Sequence, residues 1–87
     1  MLFHVSLEAD DPRHVAHVFA EIFGGSAGPF PPVGEDSWVA LAGDDRGTMI
    51  EVYPRGTEMH LAPGDDDAIG VMGPMRRNNA THIAIAT

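Results

Sequence analysis

The sequence predicts an α+β domain, and three observations carry that expectation. Three short runs, around Phe3–Leu7, Thr48–Val52 and Thr81–Ile85, alternate branched or aromatic apolar residues with polar ones, the two-residue period of a strand that is wet on one side. One segment, from Asp11 to Gly25, instead carries its apolar residues at the three-and-four spacing of a helix. Prolines and glycines punctuate the rest so often that every element must be short.

Residues 2–8 read as the first strand, with Phe3, Val5 and Leu7 on one face and His4, Ser6 and Glu8 on the other. Asp10-Asp11-Pro12 then starts a helix, Asp11 capping it and Pro12 filling the first helical position, where no amide donor is needed. Val15, Phe19, Ile22 and Phe23 form its buried stripe, and His14, His17 and Glu21 its solvent side. Gly24-Gly25 stops it, one of the pair in the left-handed conformation. Residues 26–36 hold Gly28, Pro29, Pro31, Pro32 and Gly34 and read as a loop with room for a short edge strand. Ser37–Ala42 and Thr48–Tyr53 read as the arms of a hairpin around Gly43-Asp44-Asp45-Arg46-Gly47, and Pro54 closes the second arm. From Arg55 to Ala80 the pattern weakens. Glu58–Ala62 suits a short strand, Pro63-Gly64 and Asp65–Asp67 a solvated loop, and 69–75 is apolar but broken by Gly70, Gly73 and Pro74. Thr81–Ala86 reads as a last strand.

Eighty-seven residues suit one small domain, near the size at which a single core stabilises only marginally. A hydrophobic fraction of 44% is that of a chain able to fold. With no cysteine, disulfides and thiolate metal sites are excluded, which fits a cytoplasmic protein. No apolar run is long enough to span a bilayer, and the N-terminus lacks a basic, signal-like region, so no membrane partner is expected. A formal charge of −8, with five arginines, no lysine and Arg76-Arg77 as the sole basic pair, argues against nucleic acid.

Strand alternation puts one donor in each strand-like run opposite its apolar residues: His4 opposite Val5, Glu51 between Ile50 and Val52, and His82 opposite Ile83. If those apolar faces share one core, two imidazoles and a carboxylate point to the sheet's other side. Two histidines and a carboxylate with open positions is a coordination set for Fe(II), and close to sets used by Zn(II). The bland alternatives are a polar strand residue for His4, a wet cup or an arginine partner for Glu51, and an unpartnered terminal strand for His82. His60 is a substitute ligand, whereas His14 and His17 belong to a solvated helix face. Asp65–Asp67 lacks the spacing of a calcium loop. Trp38 and Tyr53 are candidates to line a substrate pocket, and Tyr53 shares the face of Glu51.

The order of a strand bearing His4, a helix ending in Phe23-Gly24-Gly25, a Pro-rich loop, a hairpin closing in Ile50-Glu51-Val52, and a new strand opening with Thr81-His82-Ile83 resembles the vicinal oxygen chelate superfamily. That superfamily includes glyoxalase I, extradiol dioxygenases and bleomycin-resistance proteins. The resemblance implies a βαβββ module over residues 1–54, a connecting segment over 55–80, and a strand opening a second or swapped module over 81–87. Two such modules pair into a cupped, eight-stranded sheet. Its metal ligands come from the first and last strands of each module, so His4, Glu51 and His82 would be three of four. The fourth would sit on the last strand of the second module, and this sequence reaches Thr87 before any such strand. The resemblance therefore implies either a piece of a longer two-module protein or a half-length protein completed as a homodimer.

By the same resemblance the expected function is a metal-dependent lyase, isomerase or dioxygenase acting on a small vicinally oxygenated substrate. Fe or Mn would suit the dioxygenase and Ni or Zn the lyase, with Glu51 also able to move a proton. The competing expectations are a metal-free protein of the same fold that sequesters a small molecule, and an incomplete module without activity of its own.

Overall fold

The computed structural model describes residues 2–32, 34–64 and 68–86. A strand β1 (His4–Ala9) leads into one helix, α1 (Pro12–Phe23). Three strands follow: β2 (Ser26–Pro29), β3 (Trp38–Leu41) and β4 (Met49–Pro54). These four strands form one mixed sheet in the order β1-β4-β3-β2, with β1 parallel to β4 and the other neighbours antiparallel. A second, two-stranded antiparallel sheet pairs β5 (Thr57–Leu61) with β6 (Ala68–Met72). The coarse expectation of a small α+β domain is met.

The helix is set by its ends. The Asp11 side chain accepts the His14 amide at 3.1 Å, and Pro12 occupies the first turn without forfeiting a bond. At the other end Gly24 takes φ 70° and returns its amide to the last turn, a left-handed cap that other residues adopt at a cost. Gly25 is needed for a different reason, because a Cβ there would stand 1.8 Å from the Leu41 carbonyl oxygen. The chain leaving the helix thus lies directly against β3.

Helix α1 packs on β2, β3 and β4 across a core in which the alanines Ala9, Ala16, Ala20 and Ala40 meet Ile50 and Val52. Val5, Leu7, Val15, Phe19 and Phe23 close its margins. Ile22, expected in the buried stripe, is 47% exposed, and the helix presents Ala16 and Ala20 to the sheet instead. Small alanines let the helix approach closely, so the stripe rotates toward them. Phe3 is likewise exposed, since it precedes the first residue of β1.

Two parts of the chain depart from the sequence expectation. Within 55–80 the short strand expected at Glu58–Ala62 is β5, but the unanticipated β6 pairs with it, in register from Thr57↔Met72 to Leu61↔Ala68. Conversely, the residues from Thr81 to Ala86 form no strand. Their Ile83 and Ile85 still pack against the core, so the alternation was real. At its start the Thr81 amide donates to Asn79 Oδ1 at 3.0 Å, and the His82 ring Nδ1 lies 3.0 Å from the Ala80 carbonyl oxygen. The expectation of a solvated loop at Asp65–Asp67 falls outside the described residues.

A polar clasp holds these later segments to the sheet. Arg55 Nε donates to Asp10 Oδ1 at 2.6 Å, and Arg77 donates to the other oxygen of the same carboxylate. Glu8 accepts the Gly56 amide at 2.8 Å and the Asn79 side-chain amide at 3.2 Å. Among the described residues no helix is long and apolar enough to cross a membrane.

Candidate functional site

The face of the sheet opposite α1 carries the polar residues that alternation sends there. The registers His4↔Met49, Ser6↔Glu51 and Glu8↔Tyr53 set β1 and β4 side by side, and Val39 of β3 lies across from Glu51. Glu51 therefore sits in an interior strand of the sheet, between a serine and a valine, and is only 6% exposed. A carboxylate so buried is costly unless polar groups meet it. Three do. Tyr53 donates its hydroxyl to Glu51 Oε1, and Ser6 Oγ donates to the same oxygen at 3.1 Å. The other oxygen, Oε2, faces His4 Nε2 at 3.5 Å.

This division of labour decides what the carboxylate can do. Both hydroxyls anchor one oxygen, which fixes the plane of the group and leaves Oε2 turned toward the half-exposed imidazole. The 3.5 Å spacing exceeds the roughly 2.7–3.2 Å of an ordinary N–H···O bond. It is instead a spacing that one ion can bridge, since two donors each about 2.1 Å from a tetrahedral centre stand about 3.4 Å apart. Supporting hydroxyls on the oxygen not facing the imidazole are also what orients a ligating carboxylate. The donor chemistry, imidazole with carboxylate, suits Fe, Mn, Ni or Zn.

Tyr53 cannot easily lose its own proton here. Burial first, and then its hydrogen bond to the Glu51 carboxylate, push the phenol up from 10.0 to about 12. Tyr53 is thus a hydrogen-bond donor at neutral pH and not a base.

The sequence candidates divide accordingly. The structure brings His4, Glu51 and Tyr53 together on one face. It leaves His82 apart, exposed on the C-terminal segment, and no group of three His, Cys, Asp or Glu side chains that could hold a metal occurs among the described residues. Trp38 is on the opposite face. Its register partner is the core residue Val52, and the Arg13 guanidinium and the His17 ring pack on its indole from the helix, 5.4 and 5.5 Å from the ring centre. As a wall for a pocket at Glu51 it is therefore corrected to a helix-packing residue. His60 sits in β5 beside Glu58, its Nε2 3.0 Å from Oε1, and does not join the site.

A cavity of about 450 Å³ opens at the Tyr53 end of this face, and Ser6, Glu8, Tyr53, Thr57, Arg76 and Asn79 are among its walls. That volume is in the range that holds small metabolites. Ser6 and Arg76 are the residues that sequence reasoning passed over. Ser6 had a signal, its two-residue offset from His4, whereas nothing in the sequence set Arg76 in the cavity beside Ser6 and Tyr53. No known protein family, curated protein or solved structure matches this chain.

Proposed function

We propose that the chain is a metal-dependent protein of the vicinal oxygen chelate type, acting as a lyase, isomerase or dioxygenase on a small oxygenated molecule. The observation that carries this reading is the pairing of His4 Nε2 and Glu51 Oε2 at 3.5 Å on the open face of the sheet. The order strand, helix and three strands supports it, as does a parallel β1–β4 pair that puts the first and last strands of the unit side by side. His4 and Glu51 would hold the ion, and a bound divalent ion would supply Lewis acidity toward adjacent substrate oxygens. Ser6 and Tyr53 keep the Glu51 carboxylate oriented. Released from the ion, Glu51 would have an Oε2 free of hydroxyl partners and so suited to take up a substrate proton.

Two donors are too few for a stable site, so the reading includes a second copy of the chain that supplies the remaining ligands. The features that support association are apolar side chains left in water on the β5–β6 hairpin, including Met59, Ile69 and Met72. A two-stranded sheet with such residues exposed is marginal by itself.

Metal analysis of the purified, metal-supplemented protein tests the proposal. Wild type is expected to retain a divalent ion, and His4→Ala and Glu51→Ala each to lose it while keeping their circular dichroism. Retention by both variants would overturn the assignment. One observation favours a second reading, a metal-free protein that binds a small molecule. Glu51 already meets Ser6, Tyr53 and His4 within the chain, and so needs no ion to offset its burial. Wild-type protein that binds no metal under supplementation would decide for it.

A further inference from the structure

We infer that the free edge of β1 is an interface between two copies of this chain, joined antiparallel about a two-fold axis at Ser6. The inference rests on the association proposed above and names where the copies meet; the observations behind it are independent of metal.

Strand β1 ends the four-stranded sheet and pairs only with β4. The Phe3 carbonyl accepts the Met49 amide at 3.0 Å, and the Ala9 carbonyl accepts the Arg55 amide at 2.9 Å. A parallel ladder engages alternate residues, so Phe3, Val5, Leu7 and Ala9 turn their backbone groups to β4. His4, Ser6 and Glu8 turn theirs the other way. Among the described residues no backbone group meets them, and Thr81–Ala86 forms no strand there. Sheets blunt such an edge with proline, lysine or a bulge. The opposite edge strand, β2, is four residues long and closes on Pro29. By contrast β1 runs six residues in unbroken register with none of these devices.

The surroundings favour a second copy as the occupant. The chain carries thirteen acids and five arginines, so two copies repel over most of their surface. The groove beside the start of β1 is an exception. Leu2, Phe3, Val5, Phe23, Ile83 and Ile85 are among its walls, and among the described residues it holds no acid or arginine. Leu2 and Phe3 are 73% and 57% exposed, apolar surface that a lone chain leaves in water. Antiparallel pairing of two identical strands is self-complementary, as a two-fold interface must be. Within β1, only an axis at Ser6 gives all three outward residues an outward partner: Ser6 meets Ser6, and His4 meets Glu8 of the second copy. That register sets an imidazole opposite each carboxylate, whereas an axis at Glu8 would oppose like charges.

Two measurements in EDTA test the edge. The chain has no cysteine, so single thiols report their neighbours cleanly. Opposed residues of a hydrogen-bonded pair stand about 5.5 Å apart at Cα, within disulfide reach. On mild oxidation Ser6→Cys should form a covalent dimer, as should His4→Cys mixed with Glu8→Cys. His4→Cys alone should not, since its counterpart in the second copy lies about 13 Å along the strand. No covalent dimer from Ser6→Cys with native circular dichroism, or equal linkage of His4→Cys alone, would overturn the register. In the wild type, the amides of His4, Ser6 and Glu8 should exchange about tenfold more slowly in concentrated than in dilute protein, with Val5 and Leu7 unchanged. Rapid exchange of those three amides at every concentration would overturn the interface. Light scattering then separates the two losses: a two-chain mass leaves association standing at another surface, and a single-chain mass ends both.

Discussion

At the scale of single residues, Glu51 is the position on which chemistry and stability meet. Its carboxylate is buried, and its Oε1 is held by Ser6 and Tyr53. Tyr53→Phe should therefore lower stability by about 1–2 kcal/mol in urea unfolding, because a buried acceptor loses its shorter partner. An unchanged midpoint would mean that the hydroxyl contributes nothing. The chain has one tyrosine, so its titration can be followed without ambiguity by tyrosinate absorbance. The folded phenol should ionise at about 12 against 10.0 in the unfolded chain. The sign follows from linkage: a raised folded value contributes stability that is complete below pH 10.0 and is lost as the pH climbs through about 12. A transition near 10 in the folded protein would contradict the burial described. Alternation along one strand was enough to put Tyr53 on the face of Glu51, two positions away. It could not locate Trp38, because the face a residue shares with another strand depends on register, and Trp38 pairs with Val52.

At the scale of elements, the helix shows how far local chemistry reaches. Asp11, Pro12 and Gly24 mark its ends in the sequence as they do in the structure. Asp11→Ala should cost about 1 kcal/mol of stability in thermal or urea unfolding, the usual worth of an N-cap. Gly25→Ala should cost more than that, since its Cβ would meet the Leu41 carbonyl oxygen at 1.8 Å and force α1 and β3 apart. A neutral Gly25→Ala would show that the junction yields freely. That second effect is invisible in the sequence, where Gly24 and Gly25 look interchangeable. The same limit explains Thr81–Ala86 and β6. Thr81–Ala86 has a strand's alternation, but a strand exists only where a partner takes its amides, and the two described sheets, β1 to β4 and β5 with β6, pair without this segment. The β5–β6 pair has the opposite character. Gly70 and the breaks at Gly73 and Pro74 obscure β6 in the sequence, yet pairing with β5 satisfies its backbone.

At the scale of the whole molecule, Asp10 links distant parts of the chain. It takes Arg55 from the end of β4 and Arg77 from the C-terminal segment, and those hydrogen bonds, Arg55 first, hold its carboxyl below the usual 3.8. A depressed value contributes stability present above pH 3.8 and lost as the pH falls through the lower folded value. Because the clasp is exposed, salt should weaken it as well. Arg77→Gln is expected to speed amide exchange in residues 76–81 while the four-stranded sheet stays protected, and equal exchange in both would refute a clasp. Association is the other prediction at this scale. Light scattering should return the mass of two 9.3 kDa chains, and Met59→Glu or Met72→Glu should shift it toward one. By itself the sequence determined the helix with its caps, the polar face of β1, and the outward aim of His4 and Glu51, because these follow from periods and capping within a few residues. Only the tertiary structure decided that His4, Ser6 and Tyr53 converge on Glu51, and that Trp38 does not. Those facts depend on which strand pairs with which and in what register, which many distant contacts settle together.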